Sequence, residues 1–563
     1  MKSERLFYLS LLIISILTVF DLFINTGEPA TMDGVIHISG MAQFASALLQ
    51  GQFPVIWLNN FANYGLPVGI FSHQIPLYIG ALFVIITKNP VLSANILTLQ
   101  GVVLANLLFY RFLRIYFPPV SAFLGTLLLV ISPFRILDTY IRGAIPELFS
   151  LFLLPLILIL IQRLFIRKKL SSFFWLATGF ALLILTHPMM MVIYSVFIFP
   201  YFIFLLYQLY QECDQRQLVV KKMVTRVLLF LSTIVMGLGI ASYYIFPLFL
   251  EKKYFYFGAS TNLLTNDFMG FTNFFSSRWY YYYKDNIFTR GHVLQFGLPE
   301  TILLIAGIIS CLAWWHSKKD RYEALLITVL VVGGIGVFLT LRTSAIIYSI
   351  VPLLSNIQFP WRMFTVVMFV PPVILAILVE RYKQFAWAFM LMLLVVFALR
   401  SSQMYGKNYT IHPESYYQAN LQNLYSVNMN TIWTGKTEDY PPRTAQTAVI
   451  NGIVKIVSEK VTGVKRIYEI NASTPSRLVD YTFYFPGWNV YVDGVKTPVQ
   501  FQDPNYRGVI TYDVPAGQHK VEVVFQDTTI RRIAKLLTTA TILFVASLYL
   551  LRKKTVEKLV AYV

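Results

Sequence analysis

Thr31-Met32-Asp33-Gly34-Val35-Ile36-His37 stands at the mouth of an apolar run over positions 6 to 25, and that run begins behind Lys2 and Arg5. A bilayer is crossed by about 20 apolar residues, and basic residues at one end hold that end in the cytoplasm. The run carries no convincing small-residue cleavage site, so it reads as a retained first helix. Asp33 and His37 are then expected on the opposite face of the membrane, and the rest of the chain can be threaded from that crossing.

Composition agrees with a bilayer as the solvent. With 56% hydrophobic and 13% charged residues over 563 positions, and a mean hydropathy of +0.61, the chain has too little charge to cover a water-facing globule. The net charge of +19 does not indicate nucleic acid, because the basic residues form short clusters between apolar runs. These are Lys2 with Arg5, Arg111 with Arg114, Arg163 through Lys169, Lys221 through Arg226, Lys318 through Arg321, Arg381 with Lys383, and Arg552 through Lys554. Such spacing is the positive-inside pattern. With all clusters inside, about twelve transmembrane helices are expected, near 6–25, 91–112, 118–134, 147–163, 171–187, 189–208, 227–247, 298–315, 322–341, 362–379, 384–400 and 533–551, and both termini are cytoplasmic. The apolar segment 75–87 is short for a span and is read as lying in the interface. Cys213 and Cys311 fall in a cytoplasmic loop and a membrane helix, so no disulfide framework is expected outside.

The plan that follows is a polytopic α-helical membrane protein with a transmembrane domain over 1–400, carrying external loops 26–90, 135–146 and 251–297. An extracytoplasmic β-rich domain occupies 401–531, and a final helix with a cytoplasmic tail occupies 532–563. Within the β-rich part, alternating runs at 477–485, 489–492, 509–514 and 520–525 are separated by Pro486-Gly487, Asp493-Gly494 and Pro515-Ala516-Gly517. Period-two runs broken by such dipeptides predict antiparallel hairpins, here a small β-sandwich over about 445–530.

Several external residues have chemistry to offer. Asp33, at low local dielectric, suits a general base that removes a proton from a hydroxyl, and it equally suits the N-cap of the helix that follows. His37 lies one helical turn on, where it would orient Asp33, touch a phosphate or pack at the interface. Tyr140-Ile141-Arg142-Gly143-Ala144-Ile145-Pro146-Glu147 offers a guanidinium fork for phosphate oxygens, a glycine for close backbone approach and an acid at a helix start. An Arg142–Glu147 ion pair at a Pro-led helix start is the compatible structural reading. Arg362, in Gln358-Phe359-Pro360-Trp361-Arg362, and Arg278, Lys284 and Arg290 in a Tyr-rich loop, are cations beside aromatic faces. They suit a phosphate head group with its sugar or polyprenyl chain, or act as snorkelling anchors. His187-Pro188 at the end of the fifth span adds a donor to the same region or simply ends a helix before proline. No Asp or Glu lies near the middle of a predicted span, and no phosphate-binding glycine loop is present, which counts against ion-coupled carriers and ATP-driven machines.

The Asp33 to His37 run, Gly51-Gln52-Phe53-Pro54-Val55-Ile56-Trp57 with Gly65-Leu66-Pro67, Arg142 through Glu147, and Gln358 through Arg362 resemble bacterial membrane proteins labelled "6-pyruvoyl-tetrahydropterin synthase-related". The C-terminal Phe485-Pro486-Gly487-Trp488, Asp493-Gly494 and Pro515-Ala516-Gly517-Gln518-His519 make the plan similar to YfhO-like proteins. Both groups resemble the GT-C superfamily of membrane glycosyltransferases, in which an acid of the first external loop assists sugar transfer from a polyprenyl phosphate. The resemblance spans nearly the whole chain. It implies Asp33 as the acid of that loop and Glu147 as its second-loop carboxylate, while His37, Arg142, His187 and Arg362 are the substrate contacts that the chemistry of the residues themselves suggests. The paired acidic motif of metal-dependent members is missing around Asp33, where Glu28 is the nearest other acid, so no cofactor is expected and a divalent metal is compatible but not indicated. Implied partners are a polyprenyl-phosphate sugar donor, a cell-envelope glycan or teichoic-acid-like acceptor and the lipid bilayer, with transfer on the extracytoplasmic face. The competing classes are a lipid or polysaccharide transporter or flippase, and a non-catalytic envelope-assembly protein.

Overall fold

Leu6, Leu9, Ile13 and Leu17 recur at helical spacing along Lys2–Leu17, and all four stay exposed. The helix Ala386–Ser401 does the same with Leu391, Leu394, Val395 and Leu399. Apolar stripes turned outward on helices whose backbone bonds are satisfied internally are stabilised by lipid, not by water. The computed structural model describes residues 2–167, 170–212, 216–256, 268–275, 295–314, 321–357, 359–406, 408–418, 430–435 and 439–550.

Among the described residues, eight helices are long and apolar enough to cross a bilayer: Pro90–Leu113, Ile145–Ile166, Pro188–Gln211, Gln217–Ile240, Arg321–Thr340, Pro360–Arg381, Lys383–Ser401 and Thr529–Tyr549. Pro119–Val130 with Pro133–Arg142, bent by 40° at the break, makes a ninth if the pair is one span. The other three expected spans coincide with shorter helices, Lys2–Leu17, Leu170–Thr186 and Leu298–Trp314, of 16 or 17 residues. At 1.5 Å per residue these reach about 24–26 Å, short of the roughly 30 Å of hydrocarbon. Apolar runs between basic clusters mark where crossings belong, but they do not tell a full span from a helix one turn shorter. Residues 75–87 form most of the helix Gln74–Thr87, which packs on Gly34–Leu49 and Pro90–Leu113 and leaves Leu82 and Ile86 exposed.

The C-terminal region is two antiparallel sheets. Its strands are β1 (Thr447–Asn451), β2 (Val454–Val461), β3 (Lys465–Ala472), β4 (Ser476–Phe483), β5 (Trp488–Val492), β6 (Val495–Thr497), β7 (Val509–Val514) and β8 (Gly517–Phe525). One sheet runs β2-β3-β8-β5-β6 and the other β1-β4-β7. Asp493 and Gly494 both have positive φ, 50° and 81°, the type I′ geometry that lets Val492 pair with Val495 across the β5–β6 turn.

The sheets are fused to the first loop. Trp57 is wholly buried within their core and meets Trp488 edge-on at 5.1 Å. Strand β4 is buried on both faces: Leu478 points into the sheets, while Val479 and Phe483 join the core built by Gly34–Leu49 and Gln74–Thr87. Arg466 stacks on Trp488 at 4.3 Å, donates to Asn59 Oδ1 at 2.6 Å and lies 3.7 Å from Asp480 Oδ1. Asp480 also accepts from Tyr468 Oη and Gln446 Nε2, each at 2.9 Å. Asp480→Ala leaves Arg466 a buried charge without its counter-ion, at a cost of about 3–5 kcal/mol. The expected result is a lower melting temperature in detergent and new protease cleavage between 447 and 525; an unchanged melting temperature contradicts it.

Candidate functional site

Gly143 sets the local geometry. The wide helical turn Asp138–Arg142 ends there at φ 61°, a left-handed conformation that glycine adopts without steric cost. A Cβ at this position would sit 2.5 Å from Thr31 Oγ1 and 2.9 Å from the Gly34 nitrogen. Without one, the first loop lies directly on the second: Met32 N donates to Ile141 O at 2.9 Å, and Asp33 N to Arg142 O at 2.7 Å.

Asp33 immediately precedes the helix Gly34–Leu49, yet its side chain makes no capping bond. Thr31 Oγ1 accepts from Gly34 N at 3.2 Å instead. The Asp33 carboxylate therefore lines a cavity of about 240 Å³ rather than closing a helix end. Burial raises its pKa above the ordinary aspartate value, against the lowering pull of Arg142 and Arg362.

Glu147 is the hub of the opposite wall. Its Oε2 accepts from Arg142 Nη1 at 2.9 Å and lies 4.0 Å from Arg362 Nε, and its Oε1 accepts from Thr365 Oγ1 at 2.7 Å. Arg142 is also paired with Asp138 and lies over the Trp361 ring at 4.7 Å. Arg362 is less engaged. Its Nη1 is 3.2 Å from Met189 Sδ, its guanidinium lies 5.3 Å from the Phe359 ring centre, and its Nε makes no hydrogen bond.

Three histidines cross the cavity in a row. His73 and His187 each sit just ahead of a helix start, before Gln74 and Pro188. The His37 and His73 ring centres are 6.1 Å apart, and those of His73 and His187 are 4.2 Å apart, edge to face. Burial, with Arg142 and Arg362 adding to it, pushes the His37 pKa down to about 3; burial, then His37 and Arg362, do the same for His73. Both rings keep some accessible surface, but both line the cavity. Neutral imidazoles there offer one donor and one acceptor nitrogen each.

Asp33, His37, Arg142, Glu147, His187 and Arg362, the six residues singled out from the sequence, all line this one cavity. His73 lines it too and was missed: it follows the short apolar helix Val68–Phe71 with no motif around it. Asp138 and Thr365 were missed although they flank the quoted motifs, because their contacts with Arg142 and Glu147 run through the wide turn Asp138–Arg142 and across to another helix. Arg278, Lys284 and Arg290 lie outside the described residues. Among the described residues no group of three His, Cys, Asp or Glu side chains is placed to hold a metal ion. Every lining residue falls between 33 and 362, so the sheets brace the first loop without reaching the cavity.

No protein-family model and no curated protein matches the chain in sequence. Among solved structures, the apo form of an oligosaccharyltransferase from Archaeoglobus fulgidus is similar over 71% of this chain, at 14% identity and a TM-score of 0.38. The chain spans 56% of that protein's length.

His37 and His73, half-buried against the cavity, make stability depend on pH. Their folded pKa of about 3 lies below the free value of 6.5, so the unfolded chain binds more protons in that window. Stability is complete above 6.5 and is lost as pH falls towards 3. The double substitution His37→Gln with His73→Gln should flatten this decline in melting temperatures taken above and below pH 6.5; an equally steep decline in the variant contradicts the burial of neutral rings.

Proposed function

We propose that the chain is a membrane glycosyltransferase of GT-C type, which moves a sugar from a polyprenyl-phosphate-linked donor to a hydroxyl of a cell-envelope polymer or glycolipid. The observation that carries this reading is the cavity itself. It brings a carboxylate that caps no helix, Asp33, together with the guanidiniums of Arg142 and Arg362 and the imidazoles of His37, His73 and His187, in a chain with eight membrane-length helices among its described residues.

Asp33 takes the proton as the acceptor O–H bond breaks, and its raised pKa makes it a stronger base than a solvated aspartate. The freed oxygen pair bonds to the anomeric carbon while the bond from that carbon to the phosphate oxygen breaks, and its electrons leave with the phosphate. Direct displacement inverts the anomeric centre. Arg362, with His187 and His37 alongside, holds the departing phosphate oxygens, so that charge develops where donors already point. Arg142, bound by Glu147 and Asp138, adds positive charge and fixes the wall.

In this reading the cavity faces the extracytoplasmic side of the cell membrane and both termini lie inside, an orientation supported by the spacing of the basic clusters. A nucleotide sugar is confined to the cytoplasm, which favours a donor carried across on lipid. The β-rich domain braces the first loop, to which Trp57 and β4 lock it.

Asp33→Asn should lower sugar incorporation by about 10²–10⁴-fold, the usual contribution of a general base, while the protein stays in the membrane at wild-type level. The measurement is the glycan composition of the cell envelope. Wild-type glycan in that variant would overturn the base assignment and favour a transporter or a non-catalytic assembly factor.

A further inference from the structure

An anion entering the cavity meets cations that are already matched. Arg142 is bonded to Glu147 Oε2 at 2.9 Å and to Asp138, and Arg362 lies 4.0 Å from the same Glu147 oxygen. Both guanidiniums also pull on the Asp33 carboxyl. Two cations are thus set against three carboxylates, and Arg142 and Arg362 are the cations among the described lining residues. A phosphate group arriving there brings a negative charge that no spare cation offsets.

The imidazoles are the groups that can answer it. His37, on the helix Gly34–Leu49, and His73, just ahead of Gln74–Thr87, are half-buried and line the cavity, with ring centres 6.1 Å apart. Asp33, Arg142, Glu147 and Arg362 act on them from the other walls, and His187 stands edge-on to His73 at 4.2 Å. Tyr194, from the helix Pro188–Gln211, is held by Ser150 at 3.1 Å. Burial, with Arg142 and Arg362 beside His37 and with His37 and Arg362 beside His73, pushes both rings down to about 3. A negative charge about 4 Å away, at the effective dielectric of a protein surface, favours the imidazolium by about a thousandfold. That brings a ring within reach of neutral pH, and once protonated it offers two N–H donors where the neutral ring offers one.

We propose that the imidazoles of His37 and His73 take up a proton when a phosphate-bearing ligand enters the cavity, so that the site binds its ligand more tightly as the extracytoplasmic side turns acidic. The inference rests on the phosphate-holding site proposed above and adds its regulation by pH. The proton comes from the surrounding water, bonds to an imidazole nitrogen lone pair, and returns to water when the anion leaves. The sign follows from linkage: a bound state that holds more protons than the free one gains on it as pH falls. Asp33 competes for that proton, since burial raises its carboxyl, but only an imidazole becomes a cation that donates to the phosphate.

The test is isothermal titration calorimetry on the purified full-length protein in nanodiscs. The probe is a short polyprenyl chain ending in a methyl phosphodiester, whose single charge does not change in the acid to neutral range. Titrations at mildly acidic pH in two buffers of different ionisation heat give the protons taken up per bound probe. The wild type is expected to take up about one, and to bind at least about tenfold more tightly some three pH units below neutral than at neutral pH. The double substitution His37→Gln with His73→Gln should abolish the uptake and flatten the pH dependence, with binding at neutral pH certifying an intact site, whereas Asp33→Asn should keep the uptake. A probe that does not bind at any pH, binding without uptake in the wild type, uptake that survives the loss of both imidazoles, or uptake lost in Asp33→Asn, overturns the proposal. Uptake by the wild type alongside unchanged envelope glycan in Asp33→Asn cells would sink the transfer reading and leave the proton coupling standing.

Discussion

A carboxylate enclosed among helices is tolerable only while cations and donors meet it, and Glu147 is met from three directions: by Arg142 from the second loop, by Thr365 and by Arg362 from the helix Pro360–Arg381. Those contacts tie the start of the helix after Gly143 to the wall opposite. They also hold Arg142 where its carbonyl accepts from Asp33 N, so the position of the candidate base follows from a salt bridge it does not join. The arrangement is costly to disturb, because removing Arg142 leaves the buried carboxylates of Asp138 and Glu147 short of their shared cation, and that rigidity is what preorganised electrostatics requires.

The second constraint is mechanical. A loop over residues 26–90, between two apolar helices, would ordinarily wander, yet here it is gripped from both sides. The helices Gly34–Leu49 and Gln74–Thr87 pack on Pro90–Leu113 below, and the sheets swallow Trp57 above. Burial of Arg466 against Trp488 and Asp480 fastens the two halves. The β-rich domain thus contributes to the site through the loop it clamps, which explains why it lines none of the cavity.

Much of this was legible in the chain itself. Asp493-Gly494 announced a tight turn because only residues tolerant of positive φ can sit there, and the alternation around it matched β4, β5, β7 and β8 to within a few residues while leaving β1, β2, β3 and β6 unmarked. Arg142, Gly143 and Glu147 stood out because a fork, a flexible residue and an acid at a helix start seldom adjoin by accident. Their partners were hidden for the opposite reason. His73 belongs to the site through an edge contact with His187, a residue far away in sequence, and nothing near either one records that contact. Asp138 faces Arg142 through the wide turn Asp138–Arg142, and an ordinary helical period carries no sign of such a turn. Helix lengths fell short in three places because hydropathy marks a crossing without measuring it.

The account stands on location: the carboxylate, the guanidiniums and the loop that presents them must lie beyond the lipid barrier from the basic clusters. The direct measurement is labelling of Phe53→Cys, a first-loop position that is 79% exposed, in a background lacking Cys213 and Cys311, with a membrane-impermeant maleimide. Labelling in intact cells is the predicted result; labelling only after the membrane is permeabilised would contradict the account.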